Sequence, residues 1–271
     1  MSDDPYAASA SAYELMVAGY AALQERALTA FLAALRPADG PVLDIGCGSG
    51  RAAQLLLGHS AGLKVVGIEP SPAMRSLALS RLAAEPAWRE RVTVRPEGAL
   101  EAPWPDALSG ALMLGVLGHF APGERREVFR RLAARLAVGA PLLFDLQAPD
   151  RPEAVAEHVF ADTRLGGLRY QGRAQGEPLD DQRMRWTMTY LTIDGDEVVD
   201  RRSTVMTVHH PGMAVVRQEL ESQGLCLREV DGTGLWMACR PGAATGARPP
   251  LERPRVLKGG SCWVSSPCLR E

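Results

Sequence analysis

The stretch "VLDIGCGSG", residues 42–50, decides how the rest of the chain is read. "VLDI" reads as a short strand, and it runs straight into Gly46, Gly48 and Gly50, after which a helical pattern begins. Glycines belong where a backbone turns sharply, takes positive φ, or must lie against a ligand with no Cβ in the way. Two cofactor classes use such a loop. A dinucleotide asks for GxGxxG, with helix N–H groups aimed at its pyrophosphate. Here the third glycine comes one residue early, and position 51 is arginine. Asp44 points the other way, because a carboxylate there repels a pyrophosphate but suits a ligand carrying an ammonium and a sulfonium. Glu69 ends the next apolar run, where a carboxylate can accept hydrogen bonds from both hydroxyls of a ribose.

Outward from the loop, apolar runs alternate with amphipathic segments. "KVVGIE" (64–69), "VTV" (92–94), "ALML" (111–114) and "PLLFD" (141–145) read as further strands. A helix after Glu69 has Ser71 as N-cap and Pro72 in its first turn, and Pro86 stops it. Val128, Phe129, Leu132 and Leu136 mark one face of another helix. Strand–helix alternation of this kind predicts an α/β fold, a parallel sheet with helices on both faces. Upstream, apolar residues at helical spacing from 11 to 35 predict a helical cap. After Pro149 the rhythm changes, and "MRWTMTYLTIDGDEVVDRRSTVMTV" reads as an antiparallel β-hairpin around "DGDE". A short helix ending near Gly224 and the runs "LCLREV" and "LWMAC" close the domain. The expected divisions are a cap at 1–40, a cofactor-binding core at 41–150, an inserted hairpin lid at 151–211, a closing segment at 212–241, and a tail at 242–271. That tail is rich in Gly, Pro, Ser and Arg and carries no periodicity.

Composition narrows the partners. The 271 residues carry a net charge of −2 with both signs interspersed, which gives no electrostatic case for nucleic acid or for a membrane surface. No apolar run is long enough to cross a bilayer, and the acidic start "MSDDPYAASA" lacks a signal-peptide core, so a cytoplasmic location is expected. The five cysteines include no CxxC pair. No metal is expected, since His209 and His210 would point to opposite faces of a strand. Cys47, inside the glycine loop, reads as a packing residue. The sequence is compatible with a homodimer and does not fix the oligomeric state.

"VLDIGCGSG" followed by "VVGIEPSPAM" resembles motif I and the acidic strand-two motif of class I S-adenosylmethionine-dependent methyltransferases, a Rossmann-like fold. The resemblance implies S-adenosylmethionine as cofactor, with S-adenosylhomocysteine as product. It places that cofactor over Gly46, Gly48 and Gly50, with Asp44 at its methionine part, Glu69 on its ribose and Met74 near its adenine. The backbone near Leu114 would take the amino group. The family's acidic residue after strand three is displaced here: Glu97 stands one position early, with Gly98 where the acid is expected, so Glu97 or the backbone at Gly98 and Ala99 would read the adenine. The aspartate common at the start of strand four is Gly110.

Methyl transfer also needs an acceptor that has lost a proton, and histidine has a suitable pKa. His119 follows strand four, where open α/β sheets bind ligands. "GHF" (118–120), the segment "AYELM" with Tyr13, and the inserted strands resemble deoxyamino-sugar N-methyltransferases of antibiotic pathways. That closer resemblance implies His119 and Tyr13 beside the acceptor. Asp145, at the end of strand five, and Tyr190, on the inserted strands, are the expected substrate contacts. The expected activity is transfer of a methyl group to a nitrogen or oxygen of a small specialised metabolite. A protein of this fold that binds the cofactor but catalyses a non-methylating reaction such as cyclisation is the alternative. NAD-dependent reduction is the third reading. The proline-rich acidic tetrapeptide of nucleic-acid amine methyltransferases is absent, as "LGVLGH" stands in its place.

Overall fold

The computed structural model describes residues 4–230 and 233–242. A seven-stranded sheet forms the centre, built from β1 (Val42–Ile45), β2 (Val65–Ile68), β3 (Val92–Arg95), β4 (Gly110–Met113), β5 (Pro141–Phe144), β10 (Cys226–Val230) and β11 (Leu235–Cys239). Its strand order is β10-β11-β5-β4-β1-β2-β3. The first five strands run parallel; β11 is antiparallel to β5, and β10 is antiparallel to β11. β1, β4 and β5 are buried along their whole length, which is why they read as apolar runs, broken only by Asp44 in β1. The chain order reverses at β1, between β2 and β4, and a crevice opens there beyond the carboxyl ends of the strands.

Helices cover both faces. α2 (Ala18–Ala34), α3 (Arg51–His59) and α4 (Pro72–Ala83) bury Phe31, Leu56 and Leu82 against one side. α5 (Pro122–Arg135) and α6 (Gly212–Ser222) bury Phe129 and Leu220 against the other. As its sequence implies, α4 starts with the Ser71 hydroxyl accepting from Met74 N at 3.1 Å and Pro72 in the first turn. Arg125 of α5 is 2% exposed and grips Glu219 of α6 through two N–H···O contacts of 2.7 and 2.9 Å, fixing the two helices to each other.

The expected helix over 11–35 is broken. A 3-10 turn (Ala10–Ala12) leads into the four-residue α1 (Tyr13–Met16), and Val17 separates α1 from α2. The break lets one segment serve two layers, α1 packing on the small sheet described next and α2 on β5 and β11.

The larger difference lies after Pro149. In place of one hairpin there is a four-stranded antiparallel meander: β6 (Val155–Leu165), β7 (Leu168–Pro178), β8 (Arg183–Asp194) and β9 (Glu197–His209). The second pair is the expected hairpin. The first pair hides its pattern because two of its inward positions are glycine. A Cβ at Gly172 would enter the ring of Phe160, and one at Gly176 would meet Met184 and the Trp186 indole. The inner face of this sheet packs Met184, Trp186, Met188 and Val208 together.

Candidate active site

One cavity of about 530 Å3 occupies the crevice between the large sheet, the N-terminal segment and the small sheet. Its floor is the glycine loop. Gly46 and Gly48 have φ of +67° and +55°, which favours glycine, and a Cβ on Gly46 would run into Val116. Both glycines line the cavity, as do Glu69, Met74, Gly98, Ala99 and Leu114. Gly50 does not; it starts α3 and packs on Ala78 of α4. Cys47 packs beneath the loop against Gly67, where burial pushes its thiol pKa up.

Of the two carboxylates at the loop, Glu69 is held by backbone N–H groups. Glu69 is 6% exposed, with one oxygen accepting from Gly48 N at 2.8 Å and the other from Ser71 N at 2.9 Å. Each oxygen keeps a further acceptor site, which suits a pair of ligand hydroxyls. Asp44 is 2% exposed and lies under the loop rather than on the cavity wall. Its Oδ2 has no hydrogen-bond partner among the described residues, and burial next to Glu69 raises its pKa to about 7. A buried carboxylate oxygen left unpaired is costly, and an ammonium-bearing ligand near the loop would relieve that cost. The orphaned Asp44 oxygen, the side-chain-free loop and the pre-aligned Glu69 together fit S-adenosylmethionine.

Two expected contacts lie elsewhere. Glu97 is absent from the cavity lining; it pairs with Arg95 two residues away, which lowers its pKa. The acid that does reach this rim is Glu101, whose carboxylate fills the space that a side chain on Gly98 would take. Asp145 is buried and also absent from the lining. It accepts from Gly115 N at 2.6 Å and from the Tyr20 hydroxyl at 2.9 Å, so it ties the turn after β4 to β5 and α2. A carboxylate committed to two protein donors is a strut for that turn rather than a substrate contact.

The far end of the cavity is where His119 stands, in a 3-10 turn (Leu117–His119). Gly118 lets that turn touch the small sheet, since a Cβ there would collide with Val208 and sit 2.8 Å from the His209 carbonyl. His119 opens onto the cavity among atoms that desolvate it, and its pKa falls below the ordinary value. The tyrosine beside it is Tyr6, not Tyr13: Tyr6 Oη lies 2.7 Å from His119 Nε2. Tyr13 also lines the cavity, but its hydroxyl hangs over Gly48, at the loop end, because α1 starts there. Tyr190 lines the far wall with Trp186, Met188 and Met206, and burial lifts its pKa to about 12. His210 faces away from this chamber, its Nε2 accepting from the Trp186 indole N–H at 3.0 Å and its Nδ1 donating to the Pro149 carbonyl at 2.8 Å.

Asp4, Tyr6, Glu101 and Glu124 are cavity residues that the sequence pattern does not mark. Asp4 and Tyr6 belong to a short polar segment without periodicity, so only the fold brings them to the site. Glu124 stands in the first turn of α5 and accepts from Ala121 N at 2.8 Å, a contact at the helix start that carries no signal of the cavity. No cluster of three or more metal-ligating side chains occurs among the described residues, and no helix among them is long and apolar enough to cross a membrane. The expected tail lies outside the described residues.

Comparison with known proteins fits this geometry. Residues 43–142 match the model of a family described as a methyltransferase domain. A curated trans-aconitate 2-methyltransferase of Sinorhizobium medicae is 31% identical over 140 residues; the chain spans about half the length of that relative, and the match covers 50% of this chain. Among solved structures, the DesVI protein of Streptomyces venezuelae aligns with a TM-score of 0.68 at 17% identity, covering 86% of this chain and 98% of that one. An amino pentose methyltransferase of Micromonospora echinaspora, solved with S-adenosylmethionine bound, aligns at 0.62 and 20% identity, covering 79% and 88%. A sugar N-methyltransferase of Streptoalloteichus aligns at 0.60 and 19%, covering 80% and 85%. At such identities the shared property is the fold. Residues 43–142 match a methyltransferase-domain family, and the described chain shares the Rossmann-like α/β fold of these methyltransferase structures.

Proposed function

We propose that this protein transfers a methyl group from S-adenosylmethionine to a basic nitrogen of a small molecule. The observation that carries the reading is the charge of the cavity. Asp4, Glu69, Glu101 and Glu124 line it, and no lysine or arginine does so among the described residues. When bound, S-adenosylmethionine supplies an electrophilic methyl on a cationic sulfonium. An amine arriving as its ammonium brings a second cation close by, and a carboxylate-lined chamber offsets their repulsion. An acidic or phosphorylated acceptor finds no cationic side chain to hold it.

The chain's own residues divide the work. Asp44 from under the glycine loop and Glu69 from the cavity wall orient the cofactor. Asp145, through Gly115, holds the turn that follows β4 and separates the two ends of the cavity. Tyr190, Trp186 and Met188 give the acceptor an apolar and aromatic wall that keeps water out and favours a cation at its faces. Neutral His119, its pKa lowered by burial, is available as the terminal base that lets the amine attack.

The two kinds of relative pull apart here. The Sinorhizobium protein is named for a carboxylate acceptor, whereas the Micromonospora and Streptoalloteichus proteins are described as acting on an amino pentose and on a sugar nitrogen. The uncompensated acidity of this cavity supports the second kind. The test is incubation with methyl-deuterated S-adenosylmethionine and a matched trio of sugars: an aminodeoxy-sugar, its hydroxyl counterpart and its uronate. Mass spectrometry should find the label on the amine alone. Label on the uronate at a comparable rate overturns the reading, and a rearranged sugar with unconsumed cofactor favours cyclisation.

A further inference from the structure

The N-terminal segment brings a second proton-bearing group to His119. Asp4 is anchored on the N-terminus of α4: its Oδ2 accepts from Ser71 Oγ at 2.8 Å and from Ala73 N at 3.1 Å. Its other oxygen accepts from Tyr6 N at 3.0 Å, which fixes where the Tyr6 ring leaves the backbone. Ser9 holds the following turn, donating to the Tyr6 carbonyl at 3.1 Å and engaging the Tyr190 hydroxyl. The Tyr6 ring therefore reaches across the cavity from a seat on the cofactor side to His119. The two ring centroids lie 5.9 Å apart and tilted by 59°, with Oη and Nε2 2.7 Å apart.

That hydrogen bond runs in one of two directions, according to the imidazole tautomer. A neutral imidazole has one N–H and one lone pair, and a phenol has one O–H. With the hydrogen on Nε2, the imidazole donates to the Tyr6 oxygen; with it on Nδ1, the phenol donates to Nε2. The second arrangement is the one that can pass a proton inward, from the phenol to the imidazole. Burial supports both neutral forms, raising the phenol's pKa and lowering the imidazole's. In the second arrangement the Nε2 lone pair of His119 faces the Tyr6 oxygen, and a proton reaches Nε2 through it.

We infer that Tyr6 is the group that receives the acceptor's proton, with His119 behind it as the terminal base of a two-member relay. This rests on the amine reading above. As the acceptor's N–H bond breaks, its electron pair stays on nitrogen and its proton bonds to Tyr6 Oη. In the same event the original Tyr6 O–H breaks and that hydrogen bonds to His119 Nε2. Tyr6 ends neutral as it began, and His119 ends as an imidazolium with hydrogens on both nitrogens. The relay stands only while Asp4 is seated on α4, so the segment that helps enclose the cofactor also sets the base.

The test needs no acceptor. Full-length protein labelled with 15N-histidine is examined by long-range 1H–15N correlation NMR at a fixed pH near neutrality. His119 is identified among the five histidines by its disappearance in His119→Gln. In the wild type the ring should be neutral and held as the Nδ1–H tautomer. In Tyr6→Phe, which keeps the ring and loses only the hydroxyl, the major tautomer should switch to Nε2–H. Asp4→Asn should shift the population the same way by a smaller amount, while circular dichroism and the thermal midpoint report on folding. An Nε2–H tautomer in the wild type, or a Tyr6→Phe spectrum in which His119 is unchanged, overturns the relay. Methyl transfer to the aminodeoxy-sugar is scored separately: its failure with the expected tautomer removes the amine reading, and its success with the wrong tautomer removes the relay alone.

Discussion

Asp44→Asn should do two opposite things at once, and the pair of effects probes the site's electrostatics. Asp44 titrates near 3.8 in an unfolded chain and near 7 in the fold, because it is buried with Glu69 beside it and one oxygen unpartnered. The folded state therefore holds a proton that the unfolded state has already released. Stability from this group is complete below pH 4 and is lost as the pH rises from about 4 to about 7. At about 1.4 kcal/mol per pH unit, that loss amounts to at most about 4 kcal/mol above pH 7. Asparagine removes the titration, but its amide meets the same partnerless pocket, which costs about 1–3 kcal/mol. The ligand-free variant should then be more stable than the wild type by about 2 kcal/mol at pH 8, or roughly 4–8 °C in Tm. At pH 4 the order should reverse, since both side chains are neutral and only the asparagine is the foreign one. S-adenosylhomocysteine should stabilise the wild type strongly at pH 8 and the variant weakly, since the charge that its ammonium neutralises is gone. The assay is differential scanning fluorimetry from pH 4 to 8, with and without that ligand. An Asp44→Asn protein that follows the wild-type pH profile, or that gains as much from the ligand, refutes the reasoning.

Three other expectations concern separate parts of the molecule. His119→Ala should leave the calorimetric affinity for S-adenosylhomocysteine within about twofold, yet lower turnover of the amine acceptor by about 100-fold or more; equal losses in both would mark His119 as structural. Gly118→Ala should cost about 1–3 kcal/mol in chemical denaturation, because the new methyl must displace Val208 or the His209 carbonyl; a neutral substitution would contradict the tight contact between the His119 turn and β9. Glu219→Ala should destabilise by about 3–5 kcal/mol by stranding the buried Arg125 guanidinium, and Arg125→Met combined with Glu219→Leu should recover most of that loss; additive losses in a double-mutant cycle would argue against the pair.

The parts of this protein legible in the sequence are those where local pattern and tertiary role coincide. β1, β4 and β5 lie in the middle of a two-sided sheet, so apart from Asp44 of β1 they carry no polar side chain and announce themselves. The α4 cap was equally open, because Ser71 and Pro72 act within one turn of the chain. The glycine loop could be read because Gly46 and Gly48 serve backbone geometry. Gly110 shows the limit. It stands where the methyltransferases that the sequence resembles commonly have an aspartate, and the reason is remote: a Cβ there would meet Phe31 and Leu35, which pack across the start of β4. β6 and β7 escaped notice because glycine takes the inward places that Phe160 and Trp186 fill from neighbouring strands.

The site was half legible for the same reason. Glu69 was identifiable because its role depends on the end of its own strand. The fates of Glu97 and Asp145 were set by what stood near them, Arg95 for one and Tyr20 with Gly115 for the other. Tyr6 meets His119 across 113 residues of chain, and nothing periodic or motif-like surrounds it. A sequence can show that a cavity will have a base; it cannot show which side chain will lie against that base once the N-terminus folds over.

The account rests on one cavity that takes S-adenosylmethionine and not a dinucleotide. Isothermal titration of the wild-type protein with S-adenosylhomocysteine, run beside an identical titration with NAD, addresses that claim most directly. Saturable one-to-one binding of S-adenosylhomocysteine and none of NAD is the expected result. Binding of NAD at comparable strength, or no heat with S-adenosylhomocysteine from protein that is folded by circular dichroism, would contradict it.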